Sequence, residues 1–164
     1  MTTIKKPICT LCIIGILTFI LSIVAAQAAQ LIDCLICLDM TISPVVATQD
    51  LTIMGLEGRG IVIDNTESKF FDNSTVHLVG LMKIDKGRVT RSMLGKYLDP
   101  SGDFYVIEIS QVGTENSYKF IYGTGKFTGI TGAGKTFPLT KGKPVSPGTS
   151  QSCSKITGTY ELVK

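Results

Sequence analysis

Arg88-Val89-Thr90-Arg91-Ser92-Met93-Leu94-Gly95-Lys96-Tyr97-Leu98, then Asp99-Pro100-Ser101-Gly102, then Asp103-Phe104-Tyr105-Val106-Ile107-Glu108-Ile109-Ser110-Gln111, is the passage on which the fold turns. Asp, Pro, Ser and Gly in the middle piece are residues of a reversing turn, so the flanking runs read as the two arms of a hairpin. The second arm alternates. Tyr105, Ile107 and Ile109 share one face, and Phe104, Val106 and Glu108 share the other.

Outward from this hairpin the same period continues. Thr75 to Asp85 places Val76, Leu78, Met82 and Ile84 on one face, with Gly80 between them, and stops at Lys86-Gly87. Ser117 to Tyr122 alternates Tyr118, Phe120 and Tyr122, and Gly129 to Leu139 opens rich in glycine. Ile156 to Val163 closes the chain with Ile156, Gly158, Tyr160 and Leu162 on one face. Upstream, Val45 to Met54 and Gly60 to Asp64 read as the first two strands, the second stopped by Asp64-Asn65. Lys141 to Ser152, with two prolines and two glycines, reads as a loop. Eight short strands at hairpin spacing predict an all-β fold, a single antiparallel barrel, because eight strands can close without leaving an edge. The C-terminal strand is then expected to pair back near the start of the mature chain.

The first residues have another character. Lys5 and Lys6 precede Ile8 to Ala26, which is apolar and uncharged, and Ala26-Gln27-Ala28 is a small-x-small cleavage site. Residues 1–28 are therefore expected to be a signal peptide of an exported protein, periplasmic or secreted. The apolar run is close to the length that spans a bilayer, so a retained anchor is the competing reading, and the membrane is involved only in that way. Residues 29–44, with a Cys-x-x-Cys, are expected as an N-terminal segment, and 45–164 as the barrel. Only Leu31 to Met40 within that segment admits a helical stripe.

Without Lys5 and Lys6 the 16 basic residues fall to 14 against 13 acidic ones, a net charge of +1. That balance gives no electrostatic ground for a nucleic-acid partner. Gly129-Ile-Thr-Gly-Ala-Gly134-Lys135-Thr136 does match the spacing of a phosphate-binding loop. Such a loop needs a helix whose N-terminus faces the anion, and Phe137-Pro138-Leu139 followed by Lys-Gly-Lys-Pro cannot open one. No nucleotide, cofactor or metal is expected.

Cys34, Cys37 and Cys153 are the cysteines outside the signal segment, and Cys9 and Cys12 lie within it. A structural disulfide suits an exported chain, with one thiol over and the pairing open. A redox dithiol is the alternative for the Cys-x-x-Cys, though no thioredoxin-like βαβ unit surrounds it. Glu108 is the candidate polar residue of a cavity, because it shares a face with Phe104 and Val106. There a carboxylate would pair with Arg59, Arg88 or Arg91, or have a raised pKa. An outward Glu108 is the competing reading. His77, the sole histidine, is out of phase with Val76 and Leu78 and is expected on the outer face.

Tyr122-Gly-Thr-Gly-Lys-Phe-Thr-Gly-Ile-Thr-Gly-Ala-Gly134 resembles the Gly-rich hairpin of the allene oxide cyclase-like, dirigent-like β-barrels, in particular their bacterial exported relatives. Asp72-Asn-Ser-Thr-Val-His77, Asp99-Pro-Ser-Gly-Asp103 and Gly158-Thr-Tyr160 are weaker echoes, and the resemblance covers about residues 45 to 164. It implies the barrel fold. The plant enzymes' catalytic positions have no counterparts here, so no catalytic residue is carried over. The functional expectation is a binding module holding a small apolar ligand in the barrel mouth. The alternatives are a cyclase- or isomerase-like enzyme using the same cavity, and a filled barrel serving as a structural or interaction protein.

Overall fold

The computed structural model describes residues 28–163. The expectations for the signal segment, Ala28 apart, and for Cys9 and Cys12 lie outside the described residues. Eight antiparallel strands close into one barrel in chain order. They are β1 (Gln30–Ala47), β2 (Leu51–Asp64), β3 (Thr75–Asp85), β4 (Arg88–Leu98), β5 (Phe104–Val112), β6 (Glu115–Gly123), β7 (Ile130–Lys141) and β8 (Thr149–Leu162). The barrel closes where β8 returns to β1, with Gln30 opposite Tyr160 and Thr41 opposite Thr149. This is the fold that the alternation demands, and the C-terminal strand pairs as expected.

Three boundaries differ from the sequence reading. Residues 29–44 are not a separate segment but most of β1, so the barrel wall begins at Gln30 rather than at 45. Leu31 to Met40 is extended: Ile32, Cys34 and Ile36 are buried, while Leu31, Asp33 and Leu35, which alternate with them, face out. Apolar residues on both faces of this strand mimic a helical stripe. Val45 to Met54, expected as one strand, spans the end of β1, a turn and the start of β2. Thr48 makes that turn: its N–H donates to Leu51 O at 2.9 Å, and its Oγ1 accepts from Leu51 N–H at 3.0 Å. The expected loop from Lys141 to Ser152 is likewise strand β8 from Thr149 onward.

The hairpins that set the barrel's lower rim are local in origin. Lys86 and Gly87 take φ of 47° and 82°, the paired positive values of a two-residue turn between β3 and β4. At the opposite rim the Asp99 turn closes with Asp99 N–H on Asp103 O at 2.8 Å and Ser101 N–H on Asp99 Oδ1 at 2.9 Å.

Inward side chains fill one end of the lumen and not the other. At the end where β2 runs into β3, the connecting loop turns Phe70 and Phe71 into the barrel. The 3-10 turn Gly125–Phe127 adds Phe127, which is wholly buried. These rings meet Tyr105 and Tyr160: centroids are 4.7 Å apart for Tyr105 and Phe127, 5.0 Å for Phe71 and Tyr160, and 4.8 Å for Tyr97 and Tyr105. Each ring buries a large apolar area, and offset or edge contacts add to it. The loop is held by Asp64, fully buried, whose carboxylate accepts from Thr66 N–H at 2.8 Å and Phe71 N–H at 3.0 Å. Lys126 locks the plug from outside. It pairs with Asp99 at 2.5 Å, donates to Phe70 O at 3.0 Å and stands 4.9 Å from the Phe127 ring centroid. Burial alone would push the Asp99 carboxyl up, but hydrogen bonds from Lys126 and Ser101 outweigh it, so Asp99 sits below the usual carboxylate range.

Candidate functional site

The other end of the lumen is open. Three of the four connections there, Thr48–Asp50, Lys86–Gly87 and Gly113–Thr114, are too short to fold across the mouth. The fourth, Gly142–Gly148, is tied back to the wall by Ile42 N–H on Gly148 O and Gly142 N–H on Gln151 O, both at 2.7 Å, and does not line the cavity. A cavity of about 310 Å³ enters from this rim. Toward the plug a void of only about 20 Å³ remains, and Tyr97, Ile107 and Ile156 line both spaces, so they form the floor of the open one. An eight-stranded barrel is wide enough to be filled by side chains or to hold one small ligand, and this chain divides its length between the two.

The wall of the cavity has two characters. Along β1 to β5 it is apolar apart from Arg91, with Met40, Leu56, Met82, Met93 and Ile109 facing in. Three methionines in one wall give a lining that adapts its shape to what it contacts. Along β7 and β8 the inward positions are Thr136, Thr140, Ser150, Ser152 and Ser154. The β6–β7 seam is short, pairing only Ser117 to Lys119 with Lys135 to Ala133, and beyond it β7 is bound to β8 alone. Pro138, which has no N–H to donate, sits in this unpaired stretch beside a register shift.

Three residues lining this cavity each carry a buried polar atom with no hydrogen-bond partner: Arg91 Nε, Tyr97 OH and Asn116 Oδ1. Native interiors satisfy nearly all such atoms, so each exception calls for a physical cause such as strain, a catalytic role, or a water, ion or ligand that supplies the missing partner. Arg91 is on β4 in phase with Met93 and Tyr97, opposite Met82 on β3 and Gln111 on β5, and Gln111 in turn faces Asn116 on β6. The polar level is thus near the mouth, above the apolar floor. Burial pushes the Tyr97 hydroxyl well above the ordinary tyrosine value, with the neighbouring Tyr118 acting in the same direction. It also pushes the Arg91 guanidinium down.

The residues singled out on sequence are mostly elsewhere. Glu108 is a correction: with Tyr105, Ile107 and Ile109 facing the lumen, it faces out, and it pairs with Lys119 at 2.8 Å rather than with Arg59, Arg88 or Arg91. Phe104 and Val106, its face-mates, belong to the outer wall. His77 is also outside, 3.1 Å from Glu57. Cys37 and Cys153 face each other across β1 and β8 on the outer wall and form a disulfide, with Cα atoms 4.1 Å apart. Cys34, three residues earlier in an extended strand, must face inward and is a free, buried thiol. Burial, reinforced by Asp64, pushes that thiol up to about 12. The Cys-x-x-Cys is therefore split between two faces and cannot act as a dithiol.

The phosphate-loop match lies in β7. Gly129 has φ of 75°, and a Cβ there would stand 1.9 Å from Val163 O, so glycine is required for strand packing. Lys135 is exposed and in register with Ser117 and Thr157. Its backbone belongs to the ladder, not to a cradle ahead of a helix. Among the described residues no three His, Cys, Asp or Glu side chains converge as a metal would need. Arg91, Asn116 and the serines of β8 were not foreseen. The signal for the serines was present, since Ser150, Ser152 and Ser154 continue the period-2 phase of Ile156 and Tyr160.

No protein-family model matches the chain. No curated protein matches it either. A solved structure of the pterocarpan synthase dirigent protein GePTS1 is similar, with 12% sequence identity and a TM-score of 0.49 over 85% of this chain and 95% of that chain. At that identity nothing about activity passes from one protein to the other.

Proposed function

We propose that this chain is an exported binding module that holds one small, mostly apolar molecule in the open half of its barrel. The observation that carries the reading is the set of buried, unpartnered polar atoms on Arg91, Tyr97 and Asn116, gathered around one cavity with an otherwise largely apolar inner wall. Apolar walls with a few placed polar groups are how small-molecule sites combine affinity with orientation. Export is supported by the basic and apolar start, the cleavage motif at Ala26-Gln27-Ala28 and the Cys37–Cys153 disulfide, a bond that persists in oxidising compartments. The Tyr122 to Gly134 hairpin further supports kinship with exported allene oxide cyclase-like, dirigent-like barrels.

A cyclase or isomerase working in this cavity would need a group that exchanges a proton near neutral pH. The titratable side chains lining it are Arg91, Tyr97 and Lys141, with no carboxylate, histidine or cysteine among them. That favours binding over proton-transfer catalysis. Mass spectrometry of the protein purified gently from its own host tests the reading. A stoichiometric small molecule, released on unfolding, is the expected result. Reproducible recovery without any adduct, together with failure of apolar probes to enter the barrel, would sink it.

A further inference from the structure

We infer that the molecule held in the open half of the lumen carries one carboxylate, seated on Arg91 near the mouth, with its apolar body running down toward Met93 and Tyr97. This rests on the binding reading above and names the class of ligand.

Arg91 is an arginine at an inward strand position. The strand phase that buries Met93 and Tyr97 turns it toward the lumen, where it is half-buried and its Nε is enclosed without a partner. The ion pairs among the described residues all lie elsewhere. On the outer wall they join Arg59 and His77 to Glu57, Lys83 to Asp85, Lys119 to Glu108 and Lys155 to Asp33; at the plug, Lys126 joins Asp99. No Asp or Glu lines the cavity, and the second charged residue that does, Lys141, is also basic. An arginine stays protonated in proteins, and removing its charge from water without a counter-charge is costly. A carboxylate at this level would accept from Nε–H and a terminal N–H together, the two-pronged arrangement that guanidinium favours. One guanidinium within the lumen matches one negative charge, and Lys141 at the rim draws an anion inward.

Size narrows the class further. The cavity of about 310 Å³ lies at the small end of the range for small-molecule sites, which suits a compact amphiphile. A short-chain or single-ring carboxylic acid fits, and a long membrane lipid does not.

Three eight-carbon probes that differ only in the head group test this by calorimetry on protein produced from the full-length chain: octanoate, 1-octanol and octylammonium. Octanoate should bind about tenfold or more tighter than octanol, as expected for a hydrogen-bonded charge partner, and octylammonium should bind weakest. In Arg91→Met the preference for octanoate over octanol should vanish, whereas Arg91→Lys should keep part of it. Arg91→Met should also melt no lower than the wild type without ligand, because it removes a charge that has no partner in the chain. If Arg91→Met fails to fold, Arg91→Gln serves, with the same expected loss of preference. Octanol binding as tightly as octanoate in the wild type, or a preference that survives loss of the arginine, would overturn the inference and leave the binding module standing. Failure of all three probes to bind would remove both.

Discussion

Raising the pH should unfold this barrel well before ordinary alkaline damage, because its interior is built from acids that burial keeps neutral. Tyr97, Tyr105 and Tyr118 are each buried, and desolvation drives their hydroxyls well above the usual tyrosine value. Cys34 is pushed up to about 12, first by burial and then by the nearby Asp64. A group whose pKa is higher folded than unfolded contributes stability that is complete below the unfolded value and lost as pH climbs toward the folded one. The loss therefore begins near pH 9 for the thiol and near pH 10 for the tyrosines. Each group then removes about 1.4 kcal/mol per pH unit. By about pH 11 the three tyrosines together cost about 4 kcal/mol and the thiol nearly 3, a large part of the 5 to 15 kcal/mol that holds a domain folded. Urea midpoints measured from pH 8 upward, with tyrosinate absorbance followed in parallel, are the assay. The midpoint should be flat to about pH 9, fall steeply beyond it, and tyrosinate should appear together with unfolding. A midpoint that stays level to about pH 11, or buried tyrosines that ionise in the folded barrel near the ordinary value of about 10, would refute the reasoning.

Thiol chemistry gives an independent check: in protein lacking residues 1–27, Cys34 should resist alkylation while folded and become the one reactive thiol on unfolding without reductant. Labelling of Cys37 or Cys153 in its place would contradict the disulfide. At the plug, Lys126→Met leaves Asp99 buried without its partner and should cost about 2 to 3 kcal/mol in denaturant unfolding, while Phe127→Ala should cost about 3 to 5 kcal/mol. A change below about 0.5 kcal/mol for either would show that the turn Gly125–Phe127 does not seal that end. Deleting Gly158 to Lys164 removes Tyr160 and Leu162 and unpairs parts of β1 and β7, so cooperative unfolding should be lost. A truncated protein that melts like the whole would show that β8 is dispensable.

Strict alternation made the centre of the fold legible. The Arg88 to Gln111 hairpin, the inward face of β3 and the Tyr160 face of β8 were all readable from period and turn residues, because their inward positions are apolar and their outward ones are mostly not. Where that contrast fails, so did the reading. β1 carries Leu31 and Leu35 outside as well as Ile32, Cys34 and Ile36 inside, which blurs period 2 into a helical stripe. The first half of β8 has serines at its inward positions, so hydropathy shows no strand there. Glu108 was in phase with Phe104 and Val106, and only the closed barrel reveals that these are outer-wall residues. The same blindness hid Arg91. Its phase with Met93 and Tyr97 pointed inward, but a charge in a strand ordinarily faces water. Cysteine pairing became determinate once Cys34 and Cys37 were on one extended strand, which fixes them on opposite faces.

The central claim is that a small apolar molecule enters the open half of the lumen, and the methionines report on it directly. Met40, Met82 and Met93 line the cavity, whereas Met54 packs against the core without lining it. Carbon-13 labelled methionine methyls, followed by NMR during a titration with 1-octanol, separate the two environments in one experiment. The account predicts saturable shifts of Met40, Met82 and Met93 with a smaller response at Met54, which stands opposite Met82 across β2 and β3. Uniform small shifts, or a saturable response at Met54 with none at the other three, would contradict it.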